Sequence, residues 1–489
     1  MESRIHVLIL AAGLGTRMRS RKAKVLHRAG GMPLIEHVVR TALELAPPEQ
    51  VTVVVGHQAE EVRLAVARYG VGFVVQAEQR GTGHAVMAAR EALSGAGGLV
   101  LVLYGDCPLL RAETLRQLVS LHTRTGAAAT LITTVLDDPT GYGRILTDPD
   151  GNVAAIVEEK AATAEQRAIR EINSGIYCFQ AEPLWRHLGE IGADNPAGEF
   201  YLTDIIAIFR RHGYSVRAFR LTDSHQVLGI NNRIELAAAD RILREAKLRE
   251  VMLAGVTVER PETVTIDQPV RIGIDTLIEP FAQILGETSI GENCRIGAGA
   301  IVRDSRLGDG VEIGPYTIVN QSVLEDGARA GPFARLRLDN HIEAGAAVGN
   351  FVEMKKARLG RRSKALHLAY LGDAVIEEQV NIGAGTITCN YDGTAKHPTT
   401  IRRGVFVGSN ATLVAPVELG EGSYVGAGSV ITDSVPPDAL ALGRARQVIK
   451  EGWARRRRER AQAAGAELTA PTADSAAAPA PGPETPRSG

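Results

Sequence analysis

The sequence predicts two unlike architectures in tandem: a Rossmann-like α/β domain with a mostly parallel sheet, then a parallel β-helix of hexapeptide repeats. Three observations carry this. The first half alternates apolar strand-like runs with amphipathic ones: "HVLILAAG" precedes "PLIEHVVRTALELA", "VTVVVG" precedes "HQAEEVRLAVARYG", and "LVLVLYGD" precedes "AETLRQLVSLHTRTG". That βαβα order puts helices on both faces of a parallel sheet. The second half spaces aliphatic residues by six: Val407, Leu413, Leu419, Val425 and Ile431, with the same step from Ile290 to Ile296 and through Ile342, Val348 and Met354. The third observation is compositional: 52 glycines, and aromatics at only 4%. A prism of short strands explains both numbers. Each six-residue unit is one strand and one turn. The narrow core takes aliphatic side chains, and the turns need glycine or other small residues.

The bulk properties agree. A chain of 489 residues exceeds one ordinary core. Its 45% hydrophobic and 23% charged content is that of a globular protein. A net charge of -1 creates no general attraction for nucleic acid or membrane. Cys107, Cys178, Cys294 and Cys389 form no C-x-x-C pair. They suggest neither a zinc site nor a disulfide framework, and they favour a reducing, cytoplasmic setting. The first residues run straight into "RIHVLIL", unlike a signal peptide. No apolar run approaches the roughly 20 residues of a membrane helix.

Between the halves, Asn232 to Ala254 reads "NRIELAAADRILREAKLREVMLA", without Gly or Pro. Its strong helix formers predict a long helix that links the domains or packs as the last helix of the first. The expected divisions are 1–230, a linker at 231–255, the β-helix at 256–452, and a basic segment with a tail at 453–489. The "RRRRER" run lacks interleaved aromatics and reads as a solvated helix end rather than a nucleic-acid patch. From Gln462 the Ala/Pro-rich sequence predicts a disordered tail.

Ligands of open α/β sheets bind beyond the carboxyl ends of the strands. That directs attention to "AAGLGTRM" and "YGD". The first has neither the dinucleotide nor the P-loop spacing. Its glycines still free backbone N–H groups to cradle anionic oxygens, and Arg17 adds a cationic fork suited to phosphate. Asp106 ends an apolar strand, with Gly105 leaving room beside it. A carboxylate there suits Mg²⁺, and equally suits a helix cap. In "QAEQRGTGHAV", Gln76, Gly81 and Thr82 offer hydrogen bonds and close approach to a base. In the second half, "GNFVEMKKARLGRRSKALHLAYLGDA" breaks the repeat and supplies Lys355, Lys356, His367 and Tyr370. A histidine can serve as a general base near neutral pH, although a lone one on a solenoid is more often a surface residue.

"LAAGLGTRM", "KVLHRAGG", "EQRGTGHA" and "YGDCPL" occur in the order and spacing of the sugar-phosphate nucleotidyltransferases. With "GYGRI", "IVEEKAAT", "EINSGIY", "FYLTDII" and "GINNR", the chain from Ile5 to about Trp453 resembles a bacterial bifunctional family. That family joins an N-acetylglucosamine-1-phosphate uridyltransferase to a glucosamine-1-phosphate N-acetyltransferase built on a left-handed β-helix. The resemblance implies that Leu10, Ala11, Ala12 and Gly13 line the uracil and phosphate side. Lys24, with Arg17, would neutralise the UTP phosphates, and Gln76, Gly81 and Thr82 would read uracil. Tyr104, Gly105, Gly143, Glu158 and Asn173 would hold the sugar. Asp106 and Asn231 would bind Mg²⁺, with Asn231 also on the substrate side. In the second domain His367 would take a proton from the substrate amine, and Arg337 and Lys355 would bind the sugar phosphate. Tyr370, Asn381 and the pair Asn390–Tyr391 would orient the substrate. Asn390 and Tyr391 also fall in the acetyl-CoA set, with Ala384, Ser409, Ala427 and Arg444.

Two departures stand out. Ala23 replaces the family's frequent proline before Lys24, which is expected to loosen that lysine. Leu338–Asp339 replaces a frequent proline-glycine after Arg337. The implied activity acetylates glucosamine 1-phosphate with acetyl-CoA, then uridylylates the product to UDP-N-acetylglucosamine for cell-wall, peptidoglycan and lipopolysaccharide precursors. A homotrimer follows by analogy. The alternatives are a uridyltransferase whose β-helix is only a trimerisation scaffold, and a non-catalytic sugar-nucleotide sensor.

Overall fold

The computed structural model describes residues 4–93, 97–195 and 197–463. The first domain is a nine-stranded mixed sheet. Its main strands are β1 (Ile5–Leu10), β2 (Val51–Val55), β3 (Gly72–Val75), β4 (Leu99–Tyr104), β5 (Ala129–Val135), β6 (Glu171–Gln180) and β7 (Val216–Arg220). They lie in the order β7-β5-β6-β4-β1-β2-β3. All neighbours are parallel except β6, which runs antiparallel to both β4 and β5. The strand pair Arg144–Thr147 and Val153–Val157 extends from β6.

The side chains of β1 show how the two layers form. Val7, Ile9 and Ala11 enter one core, and Leu8, Leu10 and Ala12 enter the other. A strand buried on both faces has little use for alternating polarity, which is why these strands read as continuous apolar runs. The first core is covered by α1 (Leu34–Leu43), α2 (Ala59–Val66) and α4 (Ala112–Thr125). The opposite face is covered by α3 (Thr82–Ala88), α5 (Ala181–His187) and α6 (Asp204–Arg211).

Next comes α7 (Arg233–Leu253), capped by Asn232, whose side-chain oxygen accepts from the backbone of Ile234 and Glu235 at 2.9 and 3.0 Å. This cap satisfies orphan N–H groups of the first turn. The helix touches both neighbours. Asp240 accepts the N–H of Gly30, and Arg244 bridges Asp240 to Asp267 of the first prism coils.

From Thr257 to Ala441 the chain winds as a prism with faces of 11, 10 and 9 parallel strands. Each coil contributes one short strand to each face. The residues of the six-residue period point inward: Val407, Leu413 and Leu419 are fully buried, as are Ile296, Ile342 and Met354. Removing most of such a side chain, as in Leu336→Ala, costs about 2–5 kcal/mol. Coil turns pack backbone against backbone. A Cβ on Gly408 would lie 2.5 Å from the Ala427 nitrogen.

The C-terminal unit, from Gly443 onward, contains α8 (Trp453–Ala463). It takes up the whole arginine run as an exposed, solvated helix. Arg457 stacks over its own Trp453. The low-complexity stretch therefore begins inside a helix at Gln462, and its remainder from 464 lies outside the described residues.

Candidate functional sites

The first site lies beyond the carboxyl ends of β1, β2 and β4. A cavity of about 390 Å³ is lined by Leu10, Ala11, Ala12, Gly13, Lys24, Gln76, Gly81, Thr82, Tyr104 and Asp106. Ten sequence-predicted residues thus share one concavity. Leu14, Thr16, Val25, Gln79, Ala85 and Glu199 complete the lining. The first five lie inside the quoted motifs without having been singled out there, and only Glu199 falls outside them. Glu199 in particular arrives from a loop far along the chain, beyond β6.

The loop geometry explains its glycines. Nothing lies within 4 Å of a Cβ built on Gly13, so the backbone there is open to a ligand. Gly15 has φ +62°, and a Cβ there would meet Lys24 Cβ at 2.6 Å. Only glycine lets the loop turn so close to the lysine. Gly105 differs from expectation. The room beside it is filled by Ile35, Ala11 and Val25, so its small size serves packing.

Lys24 forms an ion pair with Asp106 and reaches Asn231 Oδ1 at 3.3 Å, while Arg17 donates to the same oxygen at 2.8 Å. Two oxygens, one anionic and one amide, thus converge on a single ammonium. That is the donor set of a hard divalent cation, and Lys24 stands where such an ion would be held. Asp106 is fixed from behind, since its carbonyl accepts from Ile230 at 3.0 Å. The Ala23 substitution does not leave Lys24 loose. Ala23 has φ −54°, which proline could adopt, but its N–H donates to Gln58 Oε1 at 2.6 Å, a bond proline cannot make.

A second group adjoins the cavity. Asn173 N–H donates to the Gly143 carbonyl at 2.9 Å, and its side chain donates to Tyr177 at 2.8 Å. A Cβ on Gly143 would approach the Glu158 carboxylate at 3.6 Å, and one on Gly175 would strike the Tyr104 ring at 2.6 Å. Gly143, Glu158, Asn173 and Tyr104 therefore form one polar patch. Burial raises the Glu158 carboxyl above its usual range, partly offset by the Thr203 hydroxyl that donates to it at 3.1 Å.

The second set of predicted residues is organised by register. Lys364 pairs with Asn381, Asn381 with Phe406, and Phe406 with Tyr424. This carries His367, Ala384, Ser409 and Ala427 into one column along a prism corner, with Asn381 on the adjoining face. A different corner carries the cations. Arg337 and Lys355 occupy successive coils, and Arg337 donates to Glu353 at 2.9 Å. Lys396 lies beside Lys355 and lowers its pKa, an effect to which Arg337 contributes. Bare Gly372 leaves room for the Tyr370 hydroxyl and the Asn390 amide, and Asn390 bonds Asp373. Tyr391 stands on an exposed excursion closed by Asp392 and His397. The three-residue strand Tyr370–Gly372 separates the two corners. Arg444 belongs to the C-terminal unit.

His367 is exposed, and its Nδ1 lies 2.9 Å from Asn350 Oδ1. An amide oxygen only accepts, so Nδ1 is the donor in this contact and Nε2 is the ring nitrogen left facing outward from it. Asn350 was not singled out from sequence, although its place one coil before His367 was available as a signal. After Arg337, Asp339 adopts φ +55°, the conformation that glycine would supply, and its N–H still donates to Gln321 at 2.8 Å. Asp339 thus makes this corner without a glycine.

Comparison with known proteins agrees with both architectures. Residues 7–181 match the MobA-like NTP transferase domain, and residues 269–304 and 398–433 match the bacterial transferase hexapeptide repeat. The prism is accordingly the left-handed parallel β-helix of that repeat class. The chain is 61% identical over 462 residues to the bifunctional protein GlmU of Solibacter usitatus, covering 94% of this chain and 99% of that one. It is 51% identical to that of Koribacter versatilis, covering 92% and 97%. It is 52% identical to that of an Anaeromyxobacter species, covering 97% of each. With both domains matched and nearly the full length of each relative spanned, the chain belongs to the GlmU family of bifunctional uridyltransferase/acetyltransferase enzymes.

Proposed function

We propose that residues 256–452 acetylate glucosamine 1-phosphate from acetyl-CoA, and that residues 1–230 transfer uridylyl from UTP to the resulting N-acetylglucosamine 1-phosphate. The products are UDP-N-acetylglucosamine and pyrophosphate, made in the cytoplasm. The observation that carries the first half is the convergence of Lys24, Asp106, Asn231 and Arg17 at the mouth of a glycine-lined cavity.

The attacking phosphate oxygen is already anionic, so the reaction asks for alignment and charge neutralisation rather than a base. Asp106 and Asn231 would hold Mg²⁺, which supplies charge neutralisation at the phosphates when bound. Lys24, which pairs with Asp106, would place its ammonium against the phosphates, with Arg17 flanking them. Gly13 opens its backbone to phosphate oxygens. Gln76, Gly81 and Thr82 suit the uracil edge, and Tyr104, Gly143, Glu158 and Asn173 suit the sugar hydroxyls and acetamide.

In acetyl transfer, His367 Nε2 accepts the proton lost by the amine as it attacks the thioester carbonyl, and the C–S bond breaks to release coenzyme A, which takes up that proton as the free thiol. Asn350 holds the ring in the required tautomer. Arg337 and Lys355 bind the sugar phosphate, with Tyr370, Asn381, Asn390 and Tyr391 around the sugar. Ala384, Ser409 and Ala427 contact acetyl-CoA.

One prism spreads these groups over two corners, which supports a homotrimer with each site shared between neighbours. A ladder of exposed apolar corner residues supports the same reading. Tyr316, Phe333 and Phe351 stack at 5.4 and 5.6 Å, and Leu368 follows.

The test supplies glucosamine 1-phosphate, acetyl-CoA, UTP and Mg²⁺, and follows free thiol and pyrophosphate separately. We expect both from the wild type. His367→Ala loses thiol release by about 10²–10⁴-fold, and Asp106→Ala loses pyrophosphate release on a similar scale. No thiol from the wild type, with pyrophosphate only from added N-acetylglucosamine 1-phosphate, would reduce the prism to a scaffold.

A further inference from the structure

Away from both sites, the first domain brings two imidazoles and a carboxylate to one point. His187 ends α5, and Glu190 ends the 3-10 turn that follows. At a spacing of three on such a tight turn, the two side chains lie nearly above one another. His212 caps the far end of α6, and Gly213, at φ +81°, turns the chain away directly afterwards. His187 Nδ1 lies 2.6 Å from Glu190 Oε1, and His212 Nε2 lies 3.1 Å from Glu190 Oε2. One ligand atom from each residue falls within 4.8 Å of the other two. The imidazoles face each other at 4.2 Å between centroids. His187 is buried and held in place by the edges of Phe209 and Tyr214. Among the described residues this is the one such group of three.

We propose that His187, Glu190 and His212 form a chelating site for a zinc-type divalent transition-metal ion, separate from both catalytic centres. Two imidazole nitrogens and one carboxylate oxygen are a donor set for borderline cations, and three protein ligands leave a fourth position for water. Mg²⁺ prefers an octahedron of oxygens and fits poorly. The donor atoms need only contract towards a common centre, because the carboxylate already bridges both rings. That contraction is small for Glu190 and His212, which are partly exposed, while the buried His187 provides the fixed point. Arg211 reaches to 3.8 Å from Glu190 Oε2 and is mostly exposed. It competes for the carboxylate and limits affinity without blocking the site.

A bound ion would clamp the end of α5 to the end of α6. The opposite end of α6 follows Thr203, whose hydroxyl donates to Glu158 in the polar patch of the first site. The clamp thus braces a wall of that site from its far side.

The experiment strips full-length protein with EDTA and titrates it with ZnCl₂, with no substrate present. Calorimetry gives stoichiometry and Kd, and thermal denaturation gives the shift in Tm. His212→Ala and Glu190→Gln are measured beside the wild type, with metal-free circular dichroism as the check on folding. We expect one Zn²⁺ per chain in the micromolar range or tighter and a raised Tm. Each variant should bind at least about tenfold more weakly. Excess Mg²⁺ should leave the isotherm unchanged. Equal Zn²⁺ binding by the wild type and both folded variants would overturn the proposal, as would binding only at millimolar Zn²⁺.

Discussion

The cavity of the first domain gathers side chains from loops far apart in sequence. Lys24, Gln76, Tyr104, Asp106 and Glu199 line one volume, and Asn231 joins them at its mouth. The prism works differently. His367, Ala384, Ser409 and Ala427 share a column because the coil repeats, and Arg337 and Lys355 share another for the same reason. The first site is therefore concentrated within one chain and depends on long-range folding. The second candidate set is distributed along a lattice, and a single chain presents Arg337 and Lys355 on a different corner from His367. A concentrated site is sensitive to local backbone strain. A distributed one is sensitive to whatever brings two corners together.

Separating the prisms should break this contrast most sharply. Phe351 is 56% exposed and stacks on Phe333 along the corner ladder. Phe351→Asp should convert the proposed homotrimer to monomers by sedimentation and lower acetyl transfer about a hundredfold, with uridylyl transfer within about twofold of wild type. Intact acetylation by a monomer would show that one prism holds a complete site.

The converse probe is Gly15→Ala. The left-handed turn costs about 1–2 kcal/mol for a residue with a Cβ, and the methyl group would push on Lys24. Uridylyl transfer should fall by roughly ten- to a hundredfold, with acetyl transfer unchanged.

A smaller effect separates the domains by pH. His122 is buried between α4 and β5, shares one hydrogen bond between Nδ1 and the Thr130 hydroxyl at 2.9 Å, and leaves Nε2 without a partner. Burial lowers its pKa to about 4. The unfolded chain therefore binds the proton first, and stability falls as pH drops from about 6.5 towards 4, by up to about 3 kcal/mol. Thermal scans should show this loss in the wild type and a flatter profile in His122→Gln. An unchanged slope would remove His122 as the cause.

The smallest expected effect tests Ala23. Ala23→Pro keeps φ but deletes the bond to Gln58. It should destabilise the first domain by about 1 kcal/mol and slightly raise the apparent KM for UTP. A lower KM would mean that proline holds Lys24 better than this hydrogen bond does.

The two regions also differ in how far they could be read from sequence. The period-six residues such as Leu413 and Leu419 disclosed the prism, because every inward position obeys the same geometry. Helix α7 was equally legible, since its run of strong helix formers without Gly or Pro acts locally. The ion pair of Lys24 with Asp106 was not, because it depends on how β1 and β4 lie side by side. The column joining His367 to Ser409 was hidden by the excursion at Asn390–His397, which breaks the count between coils. Gly105 was misread for a similar reason: its neighbour Ile35 comes from a helix whose packing no local spacing encodes.

Asn231 points towards the ammonium of Lys24, and the next residue opens the helix that leads to the prism. Length is therefore tolerated unequally along this molecule. A lineage could splice whole coils into the solenoid, or delete them, and each neighbour would find the same surface to stack on. A single codon gained inside α7 before Asp240 would rotate the rest of the helix by more than a quarter of a turn, pulling Asp240 from Gly30 and the joint out of register with the prism. Inheritance can lengthen the rod, but it cannot move the joint.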